Sequence, residues 1–423
     1  VSQEERFARQ QALDTASLPD MQDALRRLPA DVRPGGISLD NPEGQNVFHF
    51  GNRRKSHDLY ADTNAAAPVV NYALCEWRAK NWCPNNNITR VDTLHALDQW
   101  IPLAHNKREL PVYKFFYDGP EGYQLYLSSR SGNILQFTDS GKRLWAWFGA
   151  IPHWVYFTVI RENQNLWTRF MYWSCYLGMF MCCTGFILGI RSYWLNRRKG
   201  FLRTPYKKPW FKWHHVTGFF FGIFVFTWIL SGYMSMAPLP SWLFGEQKPR
   251  GMTRQGTPDR GTPSPDTYTL DYRDAIAAVS RTHGPVKQVE WTHYEGIPLY
   301  KLRTERETVT LDASADNIRP FRITEEMVYA AIKHLTRDTV PYTVTKMEEY
   351  DNYYISRRRP LPLPAYKVEL DNEAKDCYYY NLESFQPAHY DTNGRWKRWL
   401  YRGLHTLDIK FLVERPFLCP VVI

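Results

Sequence analysis

Four of the 12 histidines, His153, His214, His215 and His405, stand at the margins of apolar runs. An imidazole near a bilayer is costly unless it gains a partner or a ligand. These four are therefore the chain's candidate metal- or cofactor-ligating groups. His153 follows Trp147 by six positions and His405 follows Trp399 by six, with a basic pair (Lys142-Arg143, Lys397-Arg398) shortly before each Trp. His214 lies four residues before Gly218 in Trp213-His214-His215-Val216-Thr217-Gly218. Its neighbour His215 points about 100° away around a helix, so the two do not readily serve one ion. His214 is the preferred ligand, with His215 a supporting or packing residue. The competing reading of His153 and His405 is an interfacial histidine bonded to headgroup or backbone within a Trp/Tyr belt.

The elements that would position these groups are repeated. Leu110-Pro111-Val112-Tyr113-Lys114 recurs as Leu363-Pro364-Ala365-Tyr366-Lys367, 253 residues later, and the Trp-x5-His pair recurs at 252. Two ordered landmarks at nearly one offset indicate an internal duplication. Between the copies lie two uncharged apolar segments, Met171 to Ile190 and Val216 to Gly245. About 20 apolar residues cross a hydrocarbon core of roughly 30 Å, and core helices of soluble proteins normally carry a polar stripe, so both read as membrane spans. The second is expected to end as a helix near Met236, because Pro238 and Pro240 follow.

The loop from Arg191 to Lys212 holds eight basic residues and no acidic one, which keeps it in the cytoplasm. The long flanking segments then share the opposite side, the periplasm of a bacterium. Of the formal charge of +10, that loop carries +8, leaving about +2, so nucleic-acid binding loses its support. Applied outward, the offset predicts one span before residue 1 and another starting near Phe417. The chain opens on Val1 and stops in an apolar run, and is expected to be a fragment of a four-span protein.

The expected organisation is an external domain over 1–145, an interface segment and span over 146–190, and the basic loop over 191–212. A second span follows over 213–240, then a linker and second external domain over 241–396, and an interface segment with the start of a last span over 397–423. Period-2 alternation predicts strands at Val286 to Trp291, Pro298 to Arg303, Thr308 to Leu311, Tyr342 to Met347, Tyr353 to Ser356, Ala365 to Leu370 and Cys377 to Asn381. Helical spacing marks Tyr272 to Ser280 and Glu325 to Leu335. The first copy shows a helix near Met21 to Leu28, strands to about Asp62, then strands at Val112 to Phe116 and Tyr123 to Leu127. Gln247 to Pro265, rich in Gly and Pro, reads as a linker.

Helix-plus-strand modules outside the membrane, a span opening His-x-x-x-Gly, Ser231-Gly232 thirteen residues after Gly218 and the Trp-x5-His pairs resemble the PepSY-associated transmembrane proteins. The resemblance covers essentially the whole chain, although family members commonly carry Thr-Gly where Ser231-Gly232 stands. It implies a membrane α-helical bundle, two complete spans here and four in the full protein, with two external α+β PepSY-like domains. It also implies a di-haem reductase of ferric siderophores in the bacterial inner membrane, multi-pass, with the large domains periplasmic. His153 and His405 would be outer axial ligands of haem iron and His214 the inner one. Imidazoles on facing helices suit that chemistry.

No Cys-x-x-Cys-His is present, so the haem, two per full-length chain by the resemblance, would be b-type. Neither Gly-x-Ser-x-Gly nor His-Glu-x-x-His occurs, and there is no nucleotide or flavin fingerprint. The electron donor would be a separate cytoplasmic reductase or a quinol. The acceptor would be a ferric siderophore or another periplasmic species. The alternative class is a haem-free PepSY membrane protein that binds or regulates a periplasmic peptide or protease. Cys182-Cys183 read as packing residues, and Cys75 and Cys83 could form a disulfide. Arg357-Arg358-Arg359 reads as a solvated edge or an anion contact.

Overall fold

Asp residues start many of this chain's helices, because a carboxylate oxygen satisfies an N–H that the first turn leaves without a partner. Asp20 caps α2 (Met21–Arg26) through the amide of Gln22 at 2.8 Å, and Asp139 caps α4 (Ser140–Phe148) through that of Lys142 at 2.7 Å. The computed structural model describes residues 3–29, 36–52, 55–61, 69–196, 204–237, 264–336, 340–357 and 360–415. They divide into two compact units, Val1–Trp167 with Pro258–Arg322 and Thr168–Thr257 with Ile323–Ile423.

In the first unit, α1 (Gln3–Arg9) and α2 precede three strands, β1 (Ile37–Asp40), β2 (Val47–Asn52) and β3 (Lys55–Tyr60). Then come α3 (Tyr72–Trp82) and a four-stranded antiparallel meander of β4 (Ile88–Leu94), β5 (Val112–Tyr117), β6 (Gln124–Ser128) and β7 (Ile134–Thr138). After α4 follow two short helices, α5 (Ala150–Trp154) and α6 (Thr158–Arg161). The long helices are α7 (Gln164–Asn196) and α8 (Pro209–Met236). The second copy opens with α9 (Tyr272–His283) and β8 (Val286–Tyr294), β9 (Ile297–Thr304), β10 (Thr308–Asp312) and β11 (Arg319–Pro320).

The first three strands of the first copy and the first four of the second join in one seven-stranded sheet, ordered β11-β10-β9-β8-β1-β2-β3. Its centre is the antiparallel pair β1–β8, with Ile37 opposite Trp291, Ser38 opposite Glu290 and Leu39 opposite Val289. Adding 252 to one strand of these pairs generates the other, so a pseudo-two-fold axis passes through Ser38 and Glu290. The offset persists outward: His49 pairs with Asp58 as Lys301 pairs with Thr310, and Phe48 with Leu59 as Tyr300 with Leu311. The inward positions, Leu39, Phe48, Phe50, Val289 and Leu302 among them, are sealed from solvent beneath α9. Each such side chain contributes roughly 1.5–3 kcal/mol.

The second unit repeats the other module with α10 (Glu325–Thr336), β12 (Tyr342–Met347), β13 (Ala365–Leu370), β14 (Cys377–Asn381), β15 (Ala388–Tyr390) and α11 (Thr392–Lys397). Here the offset is 253: Lys114 opposes Tyr126 as Lys367 opposes Tyr379. Both Leu-Pro bonds, at Pro111 and Pro364, are cis. The strand expected over Tyr353 to Ser356 is instead a bend. The Asp351 carboxylate takes the amides of Tyr353 and Tyr354 at 2.8 and 2.7 Å, which turns the chain. Asp351 also accepts from the Tyr379 hydroxyl at 2.7 Å, as Asp98, 253 residues earlier, accepts from Tyr126 at 3.0 Å.

Both long helices are apolar enough to cross a membrane, and only 6 % of each apolar window is buried within the molecule. They pack antiparallel, from Tyr172–Met236 at one end to Tyr193–His215 at the other. Glycines at the contact let the helices approach: a Cβ on Gly178 would stand 2.9 Å from Ile229, and one on Gly222 3.2 Å from Phe186. α8 ends at Met236, as the following prolines require. Residues 197–203 of the basic loop, the bulk of the Gly/Pro linker, Arg358 and Arg359, and the span start expected near Phe417 lie outside the described residues.

Candidate functional site

α8 starts at Pro209, just after Lys208, at a position where a missing N–H costs nothing. His214 and His215 therefore sit in its second turn, and their adjacent positions give them different surroundings. His215 turns towards α7 and packs on Tyr193, with ring centroids 4.5 Å apart, and on Tyr206 at 5.3 Å. Its ring nitrogens are buried and complete no hydrogen bond of good geometry, with the Gly189 backbone as polar neighbour on the facing helix. His214 is exposed on the next face. A Cβ added to Gly218, one turn on, would meet nothing within 4 Å.

At the other end of α8, His405 packs on the helix. Its Nδ1 lies 3.3 Å from the Trp228 carbonyl oxygen and 3.2 Å from the Ser231 hydroxyl, and its ring stacks on Tyr401 at 5.5 Å. Gly232 provides the notch. Eighteen residues separate His214 from Gly232, five turns at 3.6 residues each, so both lie on one face of α8, about 27 Å apart along its axis. The face that carries His214 at one end thus receives His405 at the other.

A π-helical stretch, Arg398–Gly403, delivers His405. Gly403 is required in it, because a Cβ there would stand 2.8 Å from the Trp399 ring. Arg398 is buried and bonds the carbonyl oxygens of Tyr353 (3.3 Å) and Asp408 (3.1 Å), holding both flanks of the stretch. The Trp399 indole N–H donates to the Tyr353 hydroxyl at 3.3 Å. In the first unit Trp147 meets Trp100, with centroids 6.5 Å apart, and Trp100 is the residue 253 before Tyr353. The Trp of each Trp-x5-His pair therefore docks its interfacial helix on the neighbouring module.

His153 lies on α5, exposed, edge-on to Trp154 at 5.5 Å. It belongs to the first unit, whereas His214, His215 and His405 belong to the second. Sequence reasoning missed the roles of Trp228, Tyr353 and Tyr401, and marked Arg398 only as half of the basic pair before Trp399. Only Tyr353 carried a usable signal, the repeat offset from Trp100. Cys75 and Cys83 are both thiols at the two ends of α3, about 12 Å apart along a helix, which no disulfide spans. Burial pushes the Cys83 thiol up to about 11.

Among the described residues no three His, Cys, Asp or Glu side chains converge on a metal position. The donor set instead suits a group that takes one imidazole per side. With its Nδ1–H directed at the Trp228 carbonyl, the neutral His405 ring carries its lone pair on Nε2, the arrangement of an oriented metal-ligating histidine. His214 is exposed and the helix surface at Gly218 is open, so the chain's own atoms do not obstruct a flat group there. Comparison with family models, curated proteins and solved structures gave no match to this chain.

Proposed function

We propose that this chain is a membrane electron-transfer protein of the PepSY-associated transmembrane type. It would carry b-type haem and deliver electrons to a ferric siderophore or another acceptor on the outer side of a bacterial inner membrane. The observation that carries this reading is the placement of His214 and His405 at the two ends of one face of an apolar helix. His214 would hold an inner haem and His405 an outer one. Bound haem would supply the one-electron valence change of iron.

The chain's own residues prepare these positions. The Trp228 carbonyl and Ser231 hydroxyl fix the His405 tautomer and rotation. Glycines 218 and 232 clear the helix surface. The basic loop argues for a cytoplasmic inner end, which puts both sheet modules outside and the donor, a reductase or a quinol, at the inner side.

The test is an oxidised-minus-reduced spectrum of the full-length protein in detergent with a pyridine haemochrome count. Near two b-type haems per chain are expected, with separate losses in His214→Ala and His405→Ala. Haem-free protein from cells with ample haem supply would overturn the reading and favour a haem-free PepSY module that binds a peptide or protease.

A further inference from the structure

The first unit contains a cleft of about 690 Å³ that the electron-transfer reading does not use. Its floor is the β1–β3 surface, where His49 bridges Asp40 (Nε2–Oδ1, 2.9 Å) and Asp58 (Nδ1–Oδ1, 2.7 Å). Arg78 on α3 pairs with Glu43 at the rim. These five groups, three carboxylates and two bases, pair with one another in place. The residues 252 further on are Thr292, Lys301 and Thr310, so the ionic floor belongs to the first copy alone. A duplicated fold that keeps its register but not this cluster has specialised one half.

Two guanidinium groups on α1 complete the wall. Arg6 donates to the Ile134 carbonyl at 2.8 Å, and Arg9 donates to the Trp82 carbonyl at 3.4 Å while lying 4.0 Å over the Trp82 ring. Neither forms an ion pair with a carboxylate among the described residues. Both are exposed and oriented by neutral carbonyls, Arg9 also by an aromatic face, so each keeps N–H groups for a ligand entering the cleft. Trp82 is 8 % exposed, and its indole N–H, in the cleft wall, has no acceptor. Trp77 is 43 % exposed and adds an apolar surface beside them. Fixed guanidinium forks next to indole faces recognise a carboxylate attached to a flat or apolar body. A cleft of this volume matches one small molecule.

We infer that this cleft binds a small organic carboxylate with an aromatic or apolar body, its carboxylate on Arg6 and Arg9 and its body against Trp77 and Trp82. The site does not depend on haem, and its test reads binding alone. Titration calorimetry of the full-length protein in detergent would use indole-3-acetate, acetate and inorganic phosphate. Saturable binding of indole-3-acetate is expected, weaker for acetate by about tenfold because the body contact is lost. Arg6→Gln and Arg9→Gln should each weaken it by about tenfold, the loss of one charged hydrogen bond. Lys301→Gln, at the position matching His49, should leave it unchanged. Should Arg9→Gln disturb α1 through its stacking on Trp82, Arg6→Gln still decides the matter. Absence of saturable binding, or binding indifferent to Arg6→Gln, overturns the proposal. Phosphate binding as tightly as indole-3-acetate overturns the carboxylate assignment.

Discussion

A Cβ on Gly232 would stand 3.4 Å from Cε1 of His405, so the imidazole rests on the helix at ordinary van der Waals distance from one extra carbon. This spacing makes a graded prediction. Gly232→Ala adds one atom at a tolerable distance, and His405 should keep its contact with the Trp228 carbonyl. Gly232→Leu adds four carbons on the same line and should expel the ring. In the haem-loaded protein the outer haem signal should survive the alanine variant and fall by about half of the total, one haem of two, in the leucine variant. Equal spectra for the two variants would show that the notch does not place His405.

The different orientations of His214 and His215 predict opposite responses. His214→Ala removes an exposed imidazole and should take the inner haem with it, leaving the fold intact. His215→Phe keeps an aromatic ring between Tyr193 and Tyr206 and removes two buried nitrogens that complete no good hydrogen bond. It should retain both haems and leave the thermal midpoint unchanged or slightly raised, since buried polar atoms without partners cost free energy. Loss of the inner haem in His215→Phe, with retention in His214→Ala, would reverse the assignment.

The twin Tyr–Asp pairs allow the repeat itself to be tested. Tyr126 and Tyr379 are fully buried phenols that donate to Asp98 and Asp351. Burial first, then the neighbouring carboxylate, pushes both phenols well above their usual range. Each pair is a neutral donor on a charged acceptor, so Tyr126→Phe and Tyr379→Phe should each cost about 1.5–3 kcal/mol. The residues belong to different compact units. Each variant should therefore lower the unfolding midpoint of its own unit, read by proteolysis at sites in the two modules. A large loss from one variant and none from the other would mean that the two networks are not equivalent.

Much of this fold was legible before the coordinates, for a physical reason. A duplication records register directly: the offsets of 252 and 253 read from Trp-x5-His and Leu-Pro-x-Tyr-Lys are those that relate the strand pairs of the two copies. The period-2 strands and the two long helices followed from apolar residues on one face and on all faces. The segment from Tyr353 to Ser356 failed because its apolar alternation competes with Asp351, whose carboxylate takes two successive amides and bends the chain. The joining of β1 with β8 was not legible either. Backbone pairing between equivalent strands leaves no mark in side-chain pattern that distinguishes it from pairing within a copy. His405 was visible as a candidate, but its partner, the Trp228 carbonyl, is a backbone atom that no residue type announces.

The last prediction concerns His49, whose two carboxylate partners come from the strands on either side. Burial alone would lower its pKa, but hydrogen bonds and charge from Asp40 and Asp58 outweigh it and raise the imidazole from 6.5 to about 10. A group whose folded pKa is raised gives its full stabilisation below the unfolded value and loses it as pH rises through the folded value. The β1-β2-β3 clamp should therefore be complete below about pH 6.5 and weaken towards pH 10. Lysine and tyrosine titrations enter the same alkaline range, so the informative quantity is the difference between wild type and His49→Gln. Glutamine can still hydrogen-bond but carries no charge. The wild type should exceed the variant in urea midpoint by a constant margin at pH 5 to 6, and that margin should shrink steadily above pH 7. A margin that stayed flat to pH 10 would mean that the imidazolium contributes no charge-dependent stability, leaving the three strands held by their ladder and core alone.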